Sequence, residues 1–128
     1  MVQTLPPRPV IRLDLPGPSG LERLGRGKIT LLEHIRDTGS ISAAGRAMDM
    51  SYRRAWLLVS AVNAMFEDDA VTSQRGGKQG GGAAVTPFGE ALIARFRAME
   101  DKALAAMAED IDWLETHRAG LKDPAQPS

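Results

Sequence analysis

The residues best suited to chemistry are three side chains that directly follow Ser51, namely Tyr52, Arg53 and Arg54. An arginine guanidinium can form a bidentate pair with guanine or hold a phosphate, and a tyrosine hydroxyl can hydrogen-bond to phosphate. Ser51 suits a helix N-cap, so these side chains are expected in the first turn of a helix, where recognition helices contact DNA. The alternative is a solvated helix face with two ordinary arginines.

A second candidate is the glycine-rich segment 76–82, which follows Arg75 and contains Lys78. It does not fit a nucleotide-binding P-loop, because Gln79 stands where a Ser or Thr must follow the lysine. Short β-prone stretches on both sides predict a hairpin with a flexible tip. We expect Arg75 and Lys78 to contact the minor groove or backbone of DNA, the alternative being a mobile loop without a partner.

Patterns of catalytic and metal-binding residues are missing from the sequence. There is no cysteine, and His34 lacks the second histidine of a zinc-protease helix. No Gly-x-Ser-x-Gly elbow is present, and the Asp68-Asp69 pair is typical of a turn. We therefore expect no enzyme, no cofactor and no metal site.

The elements that must position these side chains begin with a short strand from Val10 to Leu15, between segments rich in proline and glycine. This strand could pair within the chain or with a second subunit. The spacing of apolar residues then changes from alternation to helical spacing. It predicts a helix from Gly27 that ends at Gly39.

A helix-turn-helix is predicted for the next segment. Small residues after Ser42, the expected N-cap, indicate a short helix that another helix can approach closely. Asp49 and Met50 form the turn before the helix that Ser51 caps. On that second helix we expect Trp56 to lie in the core rather than to act as a stacking surface.

The longest predicted element starts at Pro87, with Thr86 as its N-cap, and continues to about His117. Thirty residues span about 45 Å, more than a small domain covers, so its apolar stripe must be hidden by other residues. Pairing with the same helix of a second subunit would hide it, whereas an N-terminal segment could cover only the first half. The expected dimer-interface residues are Leu92, Phe96, Met99, Ala103, Met107, Ile111 and Leu114.

Basic and acidic residues are unevenly distributed along the chain, although the formal net charge is zero. Residues 1–80 carry 11 Lys and Arg against 8 Asp and Glu, and residues 81–128 carry 5 against 8. A basic first part suits a phosphate-bearing partner. With no apolar run long enough for a membrane and no leader pattern, the expected location is the cytoplasm.

The expected fold is mainly α with a small β hairpin, a winged helix-turn-helix followed by a long C-terminal dimerisation helix. The 128 residues divide into a flexible tail at 1–9, a DNA-binding domain at 10–86, the long helix at 87–118 and a disordered tail at 119–128. Ser42 and Ser51 are further candidates for phosphate contact, since they stand at helix starts.

Residues 28 to about 96 resemble the N-terminal DNA-binding domain of ModE-type molybdate-responsive regulators, which is similar to the LysR-type winged helix-turn-helix. The resemblance rests on segments 39–42 and 51–56 and above all on the glycine-rich run 76–83 leading to Thr86-Pro87-Phe88-Gly89. It implies a homodimer that binds operators near genes of molybdate uptake or molybdoenzymes. Full-length members carry a C-terminal oxyanion-binding domain, and these 128 residues end soon after the long helix, so we expect no oxyanion ligands here.

Two functions follow from the sequence. The first is sequence-specific binding of double-stranded DNA by a dimeric transcriptional regulator of molybdate-related genes, without its own oxyanion-sensing domain. The alternative is a dimeric protein-interaction module that uses the winged fold without specific DNA binding, which the neutral net charge favours.

Overall fold

Four α-helices and two antiparallel β hairpins make up the fold in the computed structural model, which describes residues 6–18, 20–77 and 80–121. In chain order the elements are β1 Arg12–Gly17, β2 Gly20–Gly25, α1 Arg26–Thr38, α2 Ile41–Ala47, α3 Tyr52–Met65, β3 Val71–Gly77, β4 Gly80–Val85, α4 Pro87–Thr116 and a 3-10 turn Ala119–Leu121. The predicted class is confirmed: a mainly helical chain with a hairpin after α3 and a long last helix.

The N-terminal strand pairs within its own chain, where the sequence predicted a single strand. β1 and β2 form an antiparallel hairpin in which Leu13 lies opposite Leu24. The second strand was missed because its sequence, Gly-Leu-Glu-Arg-Leu-Gly, lacks the β-branched and aromatic residues that indicate strands. Leu24, only 4% exposed, holds the hairpin against the core.

Helix α1 lies at the centre of the core and contacts α2, α3, α4 and both hairpins. Its residues Ile29, Leu32 and Ile35 are fully buried, as the helical period predicted, and Leu31 joins them. The other buried apolar residues come from every remaining helix, from three strands and from the loop before β3: Leu24, Ala44, Ala55, Val59, Val62, Ala70, Val71, Ala83, Ile93 and Phe96. No buried residue in the described ranges is charged.

The predicted ends of the helices match the structure closely at α1 and α4. Gly39 adopts a left-handed conformation, with φ of 71°, and ends α1. The Thr86 hydroxyl accepts a hydrogen bond from the N–H of Gly89 at 3.0 Å, and Pro87 occupies the first turn of α4. Among the described residues, none of the helices contains an apolar stretch that could span a lipid bilayer.

Candidate nucleic-acid interface

Helices α2 and α3 form a helix-turn-helix in which the two backbones approach closely. A β-carbon built on Gly45 would lie 3.0 Å from the Ala55 β-carbon and 3.3 Å from the Met50 carbonyl oxygen. The turn between the helices passes through Asp49, whose φ of 56° lies in the left-handed region that Asp tolerates better than most residues. The small residues of α2 therefore set the distance between the two helices.

The N-cap of α2 is Ser40, so the prediction of Ser42 was wrong. Ser40 has extended backbone angles, and its hydroxyl accepts a hydrogen bond from the N–H of Ala43 at 3.1 Å. Ser42 lies inside the first turn, where its hydroxyl accepts a hydrogen bond from Arg46 Nη1 at 2.9 Å. A cap must lie outside the helical backbone, and the earlier serine occupies that position.

Ser51 caps α3 as predicted, because its hydroxyl accepts a hydrogen bond from the N–H of Arg54 at 3.1 Å. Tyr52, Arg53 and Arg54 are all exposed in the first turn. At about 100° per residue, Arg53 lies nearly opposite the buried side of the helix, which consists of Ala55, Val59 and Val62. Of the three side chains in this turn, Arg53 therefore points most directly away from the core.

Trp56 is 48% exposed, which corrects the expectation that it belongs to the core. The core side of α3 starts at Ala55 and continues at Val59 and Val62, whereas Trp56 is one step of about 100° away. Trp56 instead shares a face with Tyr52, four residues earlier. That spacing of four was the signal in the sequence that could have identified it.

Tyr52 and Trp56 line a groove of about 310 Å³ between the helix-turn-helix and the second hairpin. The structure brings the predicted residues Ser42 and Tyr52 together there. Residues that were not predicted to contact DNA complete the lining: Ser40, Ile41, Trp56, Ser73, Gln74, Gly82 and Ala83. Hydroxyl, amide and aromatic groups therefore surround one side of α3.

The second hairpin, β3 and β4, is attached to the helix-turn-helix by side-chain and backbone hydrogen bonds. The Asn63 side chain, on α3, accepts from the N–H groups of Ala70 and Val71 and donates to the Val71 carbonyl. The N–H of Ala83 donates to the Gly39 carbonyl at 3.0 Å. These bonds fix the hairpin beside α3. The side chain of Arg75 and the whole of Lys78 lie outside the described residues.

Helix α4 divides into a packed half and an uncovered half. Phe96, one of the seven expected interface residues, is 1% exposed and lies in the core of its own chain, so it offers no surface to a partner. Leu92 and Met99 are partly buried against that core, and Ala103 and Ile111 are partly exposed. The large apolar side chains that are at least 42% exposed on this helix are Leu104, Met107, Trp113 and Leu114.

An ion-pair network ties α4 to α1. Arg97 Nη2 lies 2.6 Å from Glu33 Oε1 and also donates to Thr30, while Nη1 lies 2.8 Å from Glu100 Oε1. The hydrogen bond from Arg97 lowers the pKa of Glu33, and the same pairing raises the pKa of Arg97. The side chains of Glu33 and Arg97 are about a quarter to a third exposed, so solvent weakens their attraction and the network stabilises the contact between α1 and α4 only moderately.

The size and the side chains of the first turn of α3 suit the groove of a nucleic acid. An α-helix with side chains is about 10–12 Å across, close to the width of the major groove of B-DNA. The first turn of α3 presents cationic and aromatic side chains outward. In the described part of the chain, His, Asp and Glu residues form no group of three that could hold a metal ion.

Known proteins similar to this chain are molybdenum-related and DNA-binding proteins. It is 49% identical over 78 residues to the molybdenum-pterin-binding protein MopB of Rhodobacter capsulatus, which is 61% of this chain and 29% of that protein. It is 37% identical over 73 residues to the molybdenum transport protein ModE of Azotobacter vinelandii, covering 57% and 27%. It is 35% identical over 86 residues to the DNA-binding transcriptional dual regulator ModE of Escherichia coli, covering 65% and 33%.

The matched segments span about a third of the length of these relatives. No protein-family profile matches the chain. The similarity is therefore to a part of ModE and Mop proteins.

Proposed function

We propose that this chain is a dimeric regulator that binds double-stranded DNA in a sequence-specific manner and controls molybdenum-related genes. The observation that carries the proposal is the first turn of α3, where Ser51 caps the helix and Arg53 projects away from the core. A helix held at its N-terminus with an outward arginine is suited to reading base edges in the major groove.

The contacts follow from the positions of the side chains on α3. Arg53 and Arg54 would pair with guanine or phosphate, and Tyr52 would hydrogen-bond to a phosphate from the rim of the groove beside the second hairpin. Ser42 lies in the first turn of α2 and Ser51 is the N-cap of α3, and backbone N–H groups at helix N-termini favour an anion. Arg75 and Lys78 are proposed to contact the DNA backbone or minor groove.

A second copy of the chain is the proposed cover for the outer half of α4. The exposed side chains there include Met107 and Leu114, both from the predicted stripe. Two-fold pairing along this half would present two copies of α3 to a two-fold operator. The interface would comprise Ala103, Met107, Ile111 and Leu114, with Leu92 and Met99 at its inner edge.

The relatives support the type of function. The protein of Escherichia coli is named a DNA-binding transcriptional regulator, and those of Rhodobacter capsulatus and Azotobacter vinelandii are named for molybdenum. Because the chain spans about a third of each, its link with molybdenum genes is part of the proposal.

The test is fluorescence anisotropy of the purified chain with labelled DNA from its own upstream region and with a scrambled duplex. Titrations at two salt concentrations separate specific from electrostatic binding. Titrations with and without molybdate show whether this oxyanion changes the affinity for DNA. We expect nanomolar affinity for the upstream DNA and at least about 1,000-fold weaker binding to the scrambled duplex.

A dimeric protein-interaction module is the alternative, and the zero net charge of the chain favours it. It predicts equal binding to both duplexes at the non-specific level, with Kd of about 10⁻⁴ to 10⁻⁶ M. That result would overturn the proposed function.

A further inference from the structure

A second cleft lies on the other flank of α3, between that helix, the N-terminal hairpin and the start of α1. Its volume is about 260 Å³. Four of the nine lining residues are cationic, and they come from different elements: Arg12 on β1, Arg23 on β2, Lys28 on α1 and Arg54 on α3. The remainder are Gly25, Gly27, Met48, Met50 and Leu58.

The positive charge of this cleft is only partly balanced. None of its nine lining residues is acidic. Arg12 lies 3.6 Å from Asp14, a weak and exposed ion pair, and Lys28 donates a hydrogen bond to the carbonyl of Arg23. Burial lowers the pKa of Lys28, because this ammonium has lost part of its water shell, and the nearby carboxylate of Glu22 offsets that effect only in part. An anion in the cleft would restore the missing interactions.

The cleft lies beside α3, the helix that is proposed to enter the major groove. Tyr52 and Trp56 point to the groove beside the second hairpin, whereas Arg54 and Leu58 line the basic cleft. At about 100° per residue, the two pairs point about 160° apart around the helix axis. A helix in the major groove has a phosphate backbone on each side, so the two flanks of α3 would face opposite walls of the groove.

We infer that the basic cleft binds a phosphodiester of the DNA backbone, and that the N-terminal hairpin is therefore part of the DNA interface. The inference rests on the proposed DNA-binding function and adds a second backbone contact to it, on the side away from the second hairpin. Arg12 and Arg23 hold the phosphate from the hairpin, and Arg54 links this contact to the base-reading turn. The contact carries no sequence information, since every nucleotide offers the same phosphate.

The test compares the parent chain with the double variant Arg12→Ala/Arg23→Ala, because both side chains are exposed. The matched control is Arg95→Ala, an exposed arginine on α4. For the double variant we expect about tenfold weaker binding to both the upstream and the scrambled duplex. The slope of log K against log salt should fall by about 0.9 for each phosphate that the variant no longer neutralises. Arg95→Ala should behave like the parent.

Each outcome has a separate meaning. If the parent binds the upstream DNA selectively and the double variant keeps the same salt slope, the inference fails while the proposed function stands. If the parent shows no selective binding, the proposed function itself fails. Thermal unfolding in inorganic phosphate and in chloride at equal ionic strength shows whether the cleft binds a free phosphate ion rather than a phosphate of the DNA backbone. Stabilisation by phosphate that is absent in the double variant, with DNA binding unchanged, would assign the cleft to a free oxyanion and overturn the DNA contact.

Discussion

Asn63 of α3 forms hydrogen bonds with both backbone groups of Val71, the first residue of β3. Its Nδ2 donates to the Val71 carbonyl at 3.0 Å, and its Oδ1 accepts from the Val71 N–H at 3.1 Å and from the Ala70 N–H at 2.8 Å. Ala70 and Val71 are both buried, so these backbone groups depend on a protein partner rather than on water. One amide side chain therefore holds the second hairpin against the proposed recognition helix.

Replacing that amide is expected to destabilise the fold and loosen the hairpin. Asn63→Ala would leave three buried backbone groups without partners, at a cost of about 3 kcal/mol in the free energy of unfolding. Urea unfolding followed by circular dichroism measures it. Ser60→Ala, on the same helix, is the control and should stay within about 0.5 kcal/mol of the parent. Equal stability of both variants would mean that the bonds of Asn63 are replaced by water at no cost.

Any substitution of Gly89 that adds a side chain is expected to destabilise the fold. A β-carbon there would overlap the carbonyl oxygen of Ala70 and lie 2.6 Å from Val85 Cγ1, both of which belong to buried or partly buried parts of the core. We expect Gly89→Ala to lower stability by about 2 kcal/mol or more, since the neighbouring backbone must move. Gly27→Ala is the matched control on α1, where a β-carbon meets nothing within 4 Å. Thermal unfolding should show that variant unchanged or slightly stabilised, by about 0.5 kcal/mol.

The ion pair between Glu33 and Arg97 should make stability depend on acid pH. The pKa of Glu33 is lowered in the folded chain by the hydrogen bond from Arg97. Its contribution is therefore complete above about pH 4.3, the ordinary value, and is lost as pH falls through the lower folded value. Because the pair is partly exposed, we expect Glu33→Gln to cost about 1 kcal/mol or less at pH 7.

The measurement is the free energy of unfolding of the parent and Glu33→Gln between pH 7 and pH 3. The difference between them should shrink toward the acid end. The exposed Glu67→Gln controls for the loss of one negative charge and should match the parent at pH 7 within about 0.5 kcal/mol. A difference that stays constant down to pH 3 would contradict the role of this pair.

Self-association is expected to depend on the outer half of α4. Met107→Asp and Leu114→Asp would each place a charge in the proposed interface, at a cost of about 3 kcal/mol or about 100-fold in the dimer Kd. Size-exclusion chromatography with light scattering should show monomers for both. Ala105 is exposed about 160° around the helix from Met107, so Ala105→Asp should remain dimeric. If all three variants dimerise equally, another surface joins the subunits.

Two basic residues should differ in their effect on DNA recognition. Arg53→Ala is expected to cost about 1–3 kcal/mol on the preferred sequence and to relax the choice of base, as expected for an arginine that reads a base edge. Lys78→Ala, a prediction that rests on the sequence, should weaken binding to all DNA similarly and lower the salt slope by about one unit. Anisotropy with a set of single-base variants of the operator measures both. Parent-like binding by both variants would remove these residues from the interface.

Local rules were enough to predict the helices and their ends in much of this chain. Ser51 and Thr86 cap helices because the bond that a cap makes reaches only three residues along the chain. The buried residues of α1 and the length of α4 follow from the 3.6-residue period. The cap at Ser51 and the helical period together also predict that Tyr52, Arg53 and Arg54 are exposed. The sequence therefore predicts most of the proposed base-reading turn.

Only the tertiary structure decided which side of each element is covered. Trp56 lies in a groove because α1 packs on the neighbouring side of α3, and β2 forms because a backbone partner and the core compensate for its weak strand propensity. The basic cleft brings Arg12, Arg23, Lys28 and Arg54 together from four elements, and no short-range pattern relates them. Periodicity and caps act over a few residues, whereas burial and charge clustering depend on how distant segments pack together.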